Sequence, residues 1–251
     1  MNILTYRFEN EIAIVNIGDV HRGDKTCNVP LFLKAIDYIK RYDSVYWVST
    51  GDILNVALKT SVSDCYESMS LEDEYTALIK ELSPIKNKCL GIVASNHHRR
   101  LKNLAGFNLD RRICEALQIP YLNTLGVLDV VCGRASYYIA LHHGVGSGRK
   151  RGSKTNSTET LSQLVPGADI YMEGHTHSFD HFINEETYID KKRQLLTKLN
   201  SYFVVTGHFL QYDGSYAQDY KLPPRPQGAS IVTLSRRYNG KDKRVKVEFF
   251  Q

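Results

Sequence analysis

Five short polar clusters hold most of the residues in this chain that could do chemistry. They are Gly-Asp-Val-His at 18–21, Gly-Asp at 51–52, Ser-Asn-His-His at 95–98, His-His-Gly at 142–144 and Gly-His-Thr-His at 174–177. Seven of the nine histidines fall within them. Gly, Asn, Asp and Ser are ordinary turn formers, but a turn has no need of histidine. Residues two apart in an extended segment point the same way, so Asp19 and His21 can converge on one ion, as can His175 and His177. The donors are carboxylate, imidazole and amide, with no thiolate. That set suits Mn, Fe, Zn or Ni better than Ca or Mg, which prefer oxygen alone. Two Asp, one Asn and three or more His are too many for one ion. A pair of ions about 3.5–4 Å apart, sharing one carboxylate, would use them all.

In order and in type, the clusters resemble the calcineurin-like metallophosphoesterases, whose pattern runs Asp-x-His, Gly-Asp, Gly-Asn-His, His and Gly-His-x-His. The resemblance spans residues 18–177. It implies that Asp19, His21 and His177 hold one metal, that Asn96, His143 and His175 hold a second, and that Asp52 bridges the two. The cofactor expected is a pair of divalent transition-metal ions, manganese first, with Fe, Zn or Ni as alternatives. His97 would sit beside the leaving group and protonate it, while a hydroxide held between the ions attacks phosphorus. The fold implied is an α/β four-layer αββα sandwich, with two mixed β-sheets flanked by helices and the site at strand ends. Two positions depart from the pattern. Ser95 replaces a glycine, which is tolerable if the backbone there is not at positive φ. His98 replaces the acidic residue that often orients the catalytic histidine, which bears on the pKa of His97. Of the pair at 142–143, His143 directly precedes Gly144 as the family's histidine does, and His142 is expected to face the other way. His208, in Thr-Gly-His-Phe, lies outside the pattern and is expected at the surface or behind the ligands.

Basic residues accompany the clusters. Arg22 and Lys25 follow the first, Arg99, Arg100 and Lys102 the third, and Arg149, Lys150, Arg151 and Lys154 the fourth. Arg99, Arg100, Arg149, Lys150, Arg151 and Lys154 are the candidate substrate contacts. Their position argues for an anionic phosphoester larger than one phosphate, with DNA or RNA leading. The expected activity is therefore that of a phosphodiesterase or nuclease. The alternatives are hydrolysis of a nucleotide or other small phosphoester, and a binding module without turnover. A nucleotide-binding P-loop is excluded, because Ser153 separates Gly152 from Lys154. Gly-Asp-Ile-Leu-Asn at 51–55 also lacks the Gly-Asp-x-Val-Asp-Arg-Gly of protein Ser/Thr phosphatases.

The elements that must position these groups alternate in the first half. Strands are expected at 12–17, 45–49 and 89–94, and helices at 31–41, 71–82 and from Asn108 to Leu117, the signature of a mainly parallel sheet. A hairpin at 127–132 and 136–141 opens a largely antiparallel half. A loop over 144–157, a short helix near Leu161 and strands at 170–172, 202–206, 229–234 and 245–250 follow. One domain over 1–251 is expected. With 42% hydrophobic and 24% charged residues the composition excludes disorder. No apolar run nears the roughly 20 residues of a membrane span, and Glu9 and Glu11 interrupt the first apolar stretch, so a cytoplasmic chain is expected. The five cysteines form no Cys-x-x-Cys pair, which argues against a disulfide framework or a thiolate metal site.

Overall fold

Eleven strands and six helices are seen in the computed structural model, which describes residues 3–59, 61, 69–146, 148, 150–238 and 243–251. Arg149 and Cys65 lie outside the described residues. In chain order the elements are β1 (Leu4–Phe8), β2 (Ile12–Asn16), α1 (Val29–Arg41), β3 (Val45–Ser49), α2 (Leu71–Leu82), β4 (Cys89–Ile92), α3 (Asn96–Ala105), α4 (Leu109–Leu117), β5 (Leu125–Cys132) and β6 (Ala135–His142). There follow α5 (Arg151–Leu164), β7 (Ile170–Glu173), β8 (Phe179–Asp190), β9 (Leu195–His208), α6 (Tyr216–Asp219), β10 (Gly228–Tyr238) and β11 (Lys243–Phe250).

Local chemistry sets the helix starts. Asn28 accepts from the Leu31 N–H, Ser70 from Asp73 and Asn108 from Arg111, each satisfying a donor that the first turn leaves unpaired. Pro30 lies in the first turn of α1, where its missing N–H costs nothing, and Glu72, Asp73 and Glu74 meet the positive end of α2.

The strands form one connected mixed sheet in the order β1-β5-β6-β7-β9-β10-β2-β3-β4, with β11 on β10 and β8 on β9. The expected two mixed sheets correspond to its two parts, β1-β5-β6-β7-β9-β8 and β11-β10-β2-β3-β4, which are joined into one. The join is short: β10 meets β9 only through Gly228↔His208 and Ala229↔Gly207, while it runs antiparallel to β2 from Ile231↔Val15 to Leu234↔Ile12. Strands β2, β3 and β4 are parallel, as the first half predicts. The second half is less antiparallel than expected, since β6–β7 and β7–β9 both pair parallel. Strand β1 was not anticipated, and it pairs parallel with β5. Its five residues alternate between half-buried and exposed, too weak a pattern to stand out.

Alternation along the strands sends neighbouring residues into different cores. Ile12, Ile14 and Val48 meet Val130, Ile139, Met172 and Val204 in one cluster, so the two parts of the sheet share a core. Val15, Val45 and Trp47 pack instead against Phe32 and Ile39 of α1, Leu78 of α2 and Ile113 of α4. Ala140, Tyr171 and Phe203 form a third cluster with Leu161 of α5. Helix α5 occupies much of the span expected to be a loop. Its sequence, RGSKTNSTETLSQL, is rich in weak helix formers and buries only Thr158 and Leu161, so packing against the third cluster rather than propensity holds it. No helix of the described residues is long and apolar enough to cross a membrane.

Candidate metal centre

Each cluster sits where an element ends. Asp19 and His21 follow β2, Asp52 follows β3, Asn96 and His97 open α3 beyond β4, His143 follows β6, and His175 and His177 follow β7. The turns are tight. Asp19, His21, Asp52, His175 and His177 all have φ between 47° and 65°, a left-handed conformation that non-glycine residues rarely adopt. Such residues cost of order 1–3 kcal/mol each and persist where surrounding structure over-determines them, typically at functional sites. Gly174 shows how close the approach is: a Cβ there would lie 2.4 Å from Asp19 Oδ2.

The seven expected ligands converge. Asp19, His21 and His177 offer ligand atoms within 4.8 Å of one another, and so do Asp52, His143 and His175. His21 Nε2 lies 3.0 Å from His177 Nε2, and His143 Nε2 lies 3.1 Å from Asp52 Oδ2. The Asn96 amide nitrogen is 3.1 Å from His175 Nδ1. Asp19 spends one oxygen on the His175 N–H, at 2.8 Å, and turns the other toward His177 Nε2 at 3.6 Å. His143 is fixed through Nδ1, which donates to the Thr50 carbonyl at 2.7 Å, so Nε2 is the atom presented to the site.

This set could hold metal ions. Asp19 Oδ1 and Asn96 Oδ1 are buried with no hydrogen-bond partner among the described residues, and His143 Nε2 has only the Asp52 carboxylate near it. Buried polar atoms are nearly always satisfied, so such orphans among converging donors are what a site able to hold metal ions leaves. The electrostatics divide the cluster, favouring the charged form of His143 beside Asp52 and the neutral form of His21 and His175. Burial disfavours a charged His143, but the Asp52 carboxylate outweighs burial and raises the imidazole to about 9. Asp52 is held well below the usual carboxylate range, His143 and His97 overcoming its burial. Burial, with neighbouring histidines, lowers His21 and His175, which keeps them neutral as metal ligands must be.

His97 lies within this cluster rather than beside it, since its ligand atom groups with those of His21 and Asp52. Its Nδ1 donates to the Asn55 carbonyl at 2.7 Å, and Nε2 is 3.7 Å from Asp52 Oδ2. His98 does not orient it. That ring is buried on the other side of α3, 2.6 Å from Asp110, and the Asp110 charge raises it above the ordinary histidine value in spite of burial. A backbone carbonyl thus takes the part of the missing acidic residue. Ser95, at φ −95°, meets the condition for replacing glycine. Its hydroxyl caps α3 by accepting from the His98 N–H at 3.3 Å and donates to Asp52. His142 faces Glu173 at 3.2 Å.

The centre opens into a cavity of about 620 Å³. Of the six expected substrate cations, Arg100 and Lys154 line it. Arg99 and Lys150 are exposed elsewhere, Arg151 pairs with Asp180 at the surface, and Arg149 is outside the described residues. Burial and nearby Arg225 push the Lys154 ammonium down to about 8, and it donates to the Thr176 carbonyl. His208 takes the second of its two expected places, behind the ligand-type residues rather than at the surface. It is buried, stacks on His177 with ring centroids 5.4 Å apart, and is pushed by burial down to about 3. The reading of the sequence also missed Tyr216, whose hydroxyl sits 3.0 Å from His177 Nδ1, and Arg225 on the cavity wall. A tyrosine every fourth residue at 212, 216 and 220, between two apolar runs, was the available signal.

No family model matches the sequence, and no curated protein matches it. Among solved structures the chain is similar to the NAD nucleotidase of Haemophilus influenzae, with a TM-score of 0.41 and 10% identity. The match covers 95% of this chain and 49% of that one, so the chain spans about half its length. Likeness at that level bears on neither activity nor substrate.

Proposed function

We infer that the chain is a metal-dependent phosphoester hydrolase of the calcineurin-like type, acting on a small phosphoester. The observation that carries this reading is the convergence of seven donors from five element ends, with Asp19 Oδ1 and Asn96 Oδ1 buried and unpaired among the described residues. In this reading Asp19, His21 and His177 hold one ion, Asn96, His143 and His175 the other, and Asp52 is shared. Manganese is the first candidate for the metal. Bound there, such ions supply Lewis-acid stabilisation of charge on phosphoryl oxygens. The whole chain is taken as one domain, with helices outside and the two parts of the sheet packed between them.

The protein's own groups divide the remaining work. Asp19, fixed by the His175 N–H, and His143, fixed by Thr50, hold their donor atoms in place without a substrate. His97 is oriented by the Asn55 carbonyl, so its Nε2 is the nitrogen free to pass a proton to the leaving oxygen as the P–O bond breaks. A polynucleotide draws little support, because only two of the described basic candidates reach the cavity. The test is elemental analysis after manganese loading, with hydrolysis of aryl phosphomonoesters and phosphodiesters. About two ions per chain and turnover are expected. No bound metal overturns the reading, and metal without turnover on any ester leaves a binding module in its place.

A further inference from the structure

Strands β9 and β10 are antiparallel neighbours at His208 and Gly228, where a turn of about two to five residues would join them. The chain instead runs from 209 to 227 and lines the cavity that holds the converging donors. Connections of that length inside a compact fold are usually functional. Its first residues are fastened to the body, the Gln211 N–H donating to the Thr26 carbonyl at 2.8 Å and Tyr216 reaching His177. Phe209, Leu210 and Tyr216 pack on the first core, but four apolar or aromatic side chains farther along belong to none of the three cores. Tyr212 and Leu222 are half-buried, Tyr220 is 56% exposed and Pro223 is exposed, and all four line the cavity. Lys154 and Arg225 stand on the same cavity wall.

We propose that this connection is a recognition wall for a planar aromatic ring, so that the substrate is a nucleoside phosphoester whose base rests against Tyr212, Tyr220, Leu222 and Pro223. This rests on the phosphoesterase reading of the adjacent centre. Flat apolar side chains left uncovered beside a polar centre match a ligand that is aromatic at one end and anionic at the other. A sugar phosphate or a glycerol phosphate offers this wall nothing to cover. The cavity volume lies in the range of about 300–1,000 Å³ that holds ligands of this size. Lys154 and Arg225 suit anionic oxygens beyond the one at the reacting phosphorus, and Gln211 at the rim offers both a donor and an acceptor to a base edge.

The test compares kcat/KM of the manganese-loaded full chain for adenosine 5′-monophosphate and ribose 5-phosphate, and for the methyl diesters of both. Wild type should prefer the base-bearing ester by about 5- to 100-fold, the range a single stacked base contributes. The Tyr212→Ala, Tyr220→Ala double variant should lose most of that preference. Equal rates for both esters in wild type, or a preference that survives the double change, would overturn the proposal. Tyr220→Ala alone, at an exposed position, gives the same comparison if the double variant does not fold. Equilibrium binding of adenosine against ribose separates the two readings, because neither can be hydrolysed. Adenosine binding that the double variant loses upholds the wall even if no ester is cleaved, in which case only the hydrolase reading falls. Absence of adenosine binding to wild type sinks the wall whatever the esters do.

Discussion

The cavity has two walls made in opposite ways. The donor wall consists of Asp19, His21, Asp52, Asn96, His143, His175 and His177 at element ends, five of them in a strained left-handed backbone. The other wall is supplied by the connection 209–227, which places Tyr212, Tyr216, Tyr220, Leu222 and Pro223 along the cavity and is fastened to the body at Phe209 and Gln211. Atoms that must meet an ion need a rigid sheet behind them, because sub-ångström errors cost ligation. A surface that meets a flat ring tolerates more freedom, since dispersion and apolar contact have little directional demand. Tyr216 joins the two, belonging to the connection by sequence and to the donor wall by its bond to His177.

The sharpest way to break this comparison is at the donor wall. Asp52→Asn should lose metal and lower hydrolysis beyond the roughly 10⁴-fold upper bound for one general acid, as read by elemental analysis and initial rates. Retention of both ions in that variant would mean that Asp52 is not shared. His97→Asn should keep the metals and slow esters with alkoxide leaving groups by about 10²–10⁴-fold, with a much smaller loss on p-nitrophenyl esters. Loss of metal in His97→Asn would instead make it a ligand, as its grouping with His21 and Asp52 permits.

Glu74 supports the donor wall from behind, accepting from the Val56 N–H at 3.1 Å. Burial raises its carboxyl from 4.5 to about 7. The folded chain therefore holds this proton to higher pH than the unfolded chain does. Its stabilising contribution is complete below pH 4.5 and is lost as pH rises through about 7, a change of about 3 kcal/mol. The Tm of wild type should fall between pH 5 and 8 more steeply than that of Glu74→Gln. Equal slopes would show that Glu74 is not the titrating group.

Tyr216→Phe tests the joint. With Nε2 of His177 turned to the metal, Nδ1–H donates to the tyrosine oxygen, and losing such a partner typically costs about 10- to 100-fold in metal affinity. Chelator competition would measure it, and His177→Ala should abolish the difference between Tyr and Phe at 216. The smallest effect is expected at Arg151→Ala. Its guanidinium is bound to Asp180 away from the cavity, so kcat/KM on small esters should stay near wild type. A large drop would restore the basic loop to the substrate site.

The donor wall was legible in the sequence because five clusters, each at a predicted element end, kept their residue types and order. What could not be read was the company they keep. Ser95 caps α3 and holds Asp52, and Asn55 orients His97 through a carbonyl that every residue possesses. Only the end of helix α5 near Leu161 was legible, because its polar sequence carries almost no period, and β1 was missed because its partner lies more than a hundred residues away.

By itself, then, the sequence determined most strands and helices of the first half, their mainly parallel order and which seven residues would be brought together. Hydrophobic period, capping residues and histidine clustering are local properties, written in neighbouring positions. Only the tertiary structure decided that the sheet is continuous through two residue pairs at β9 and β10, that His208 is buried against His177, and that three tyrosines four residues apart face the centre. Those outcomes depend on contacts between distant segments, whose geometry is fixed by how the cores fill and not by any local pattern.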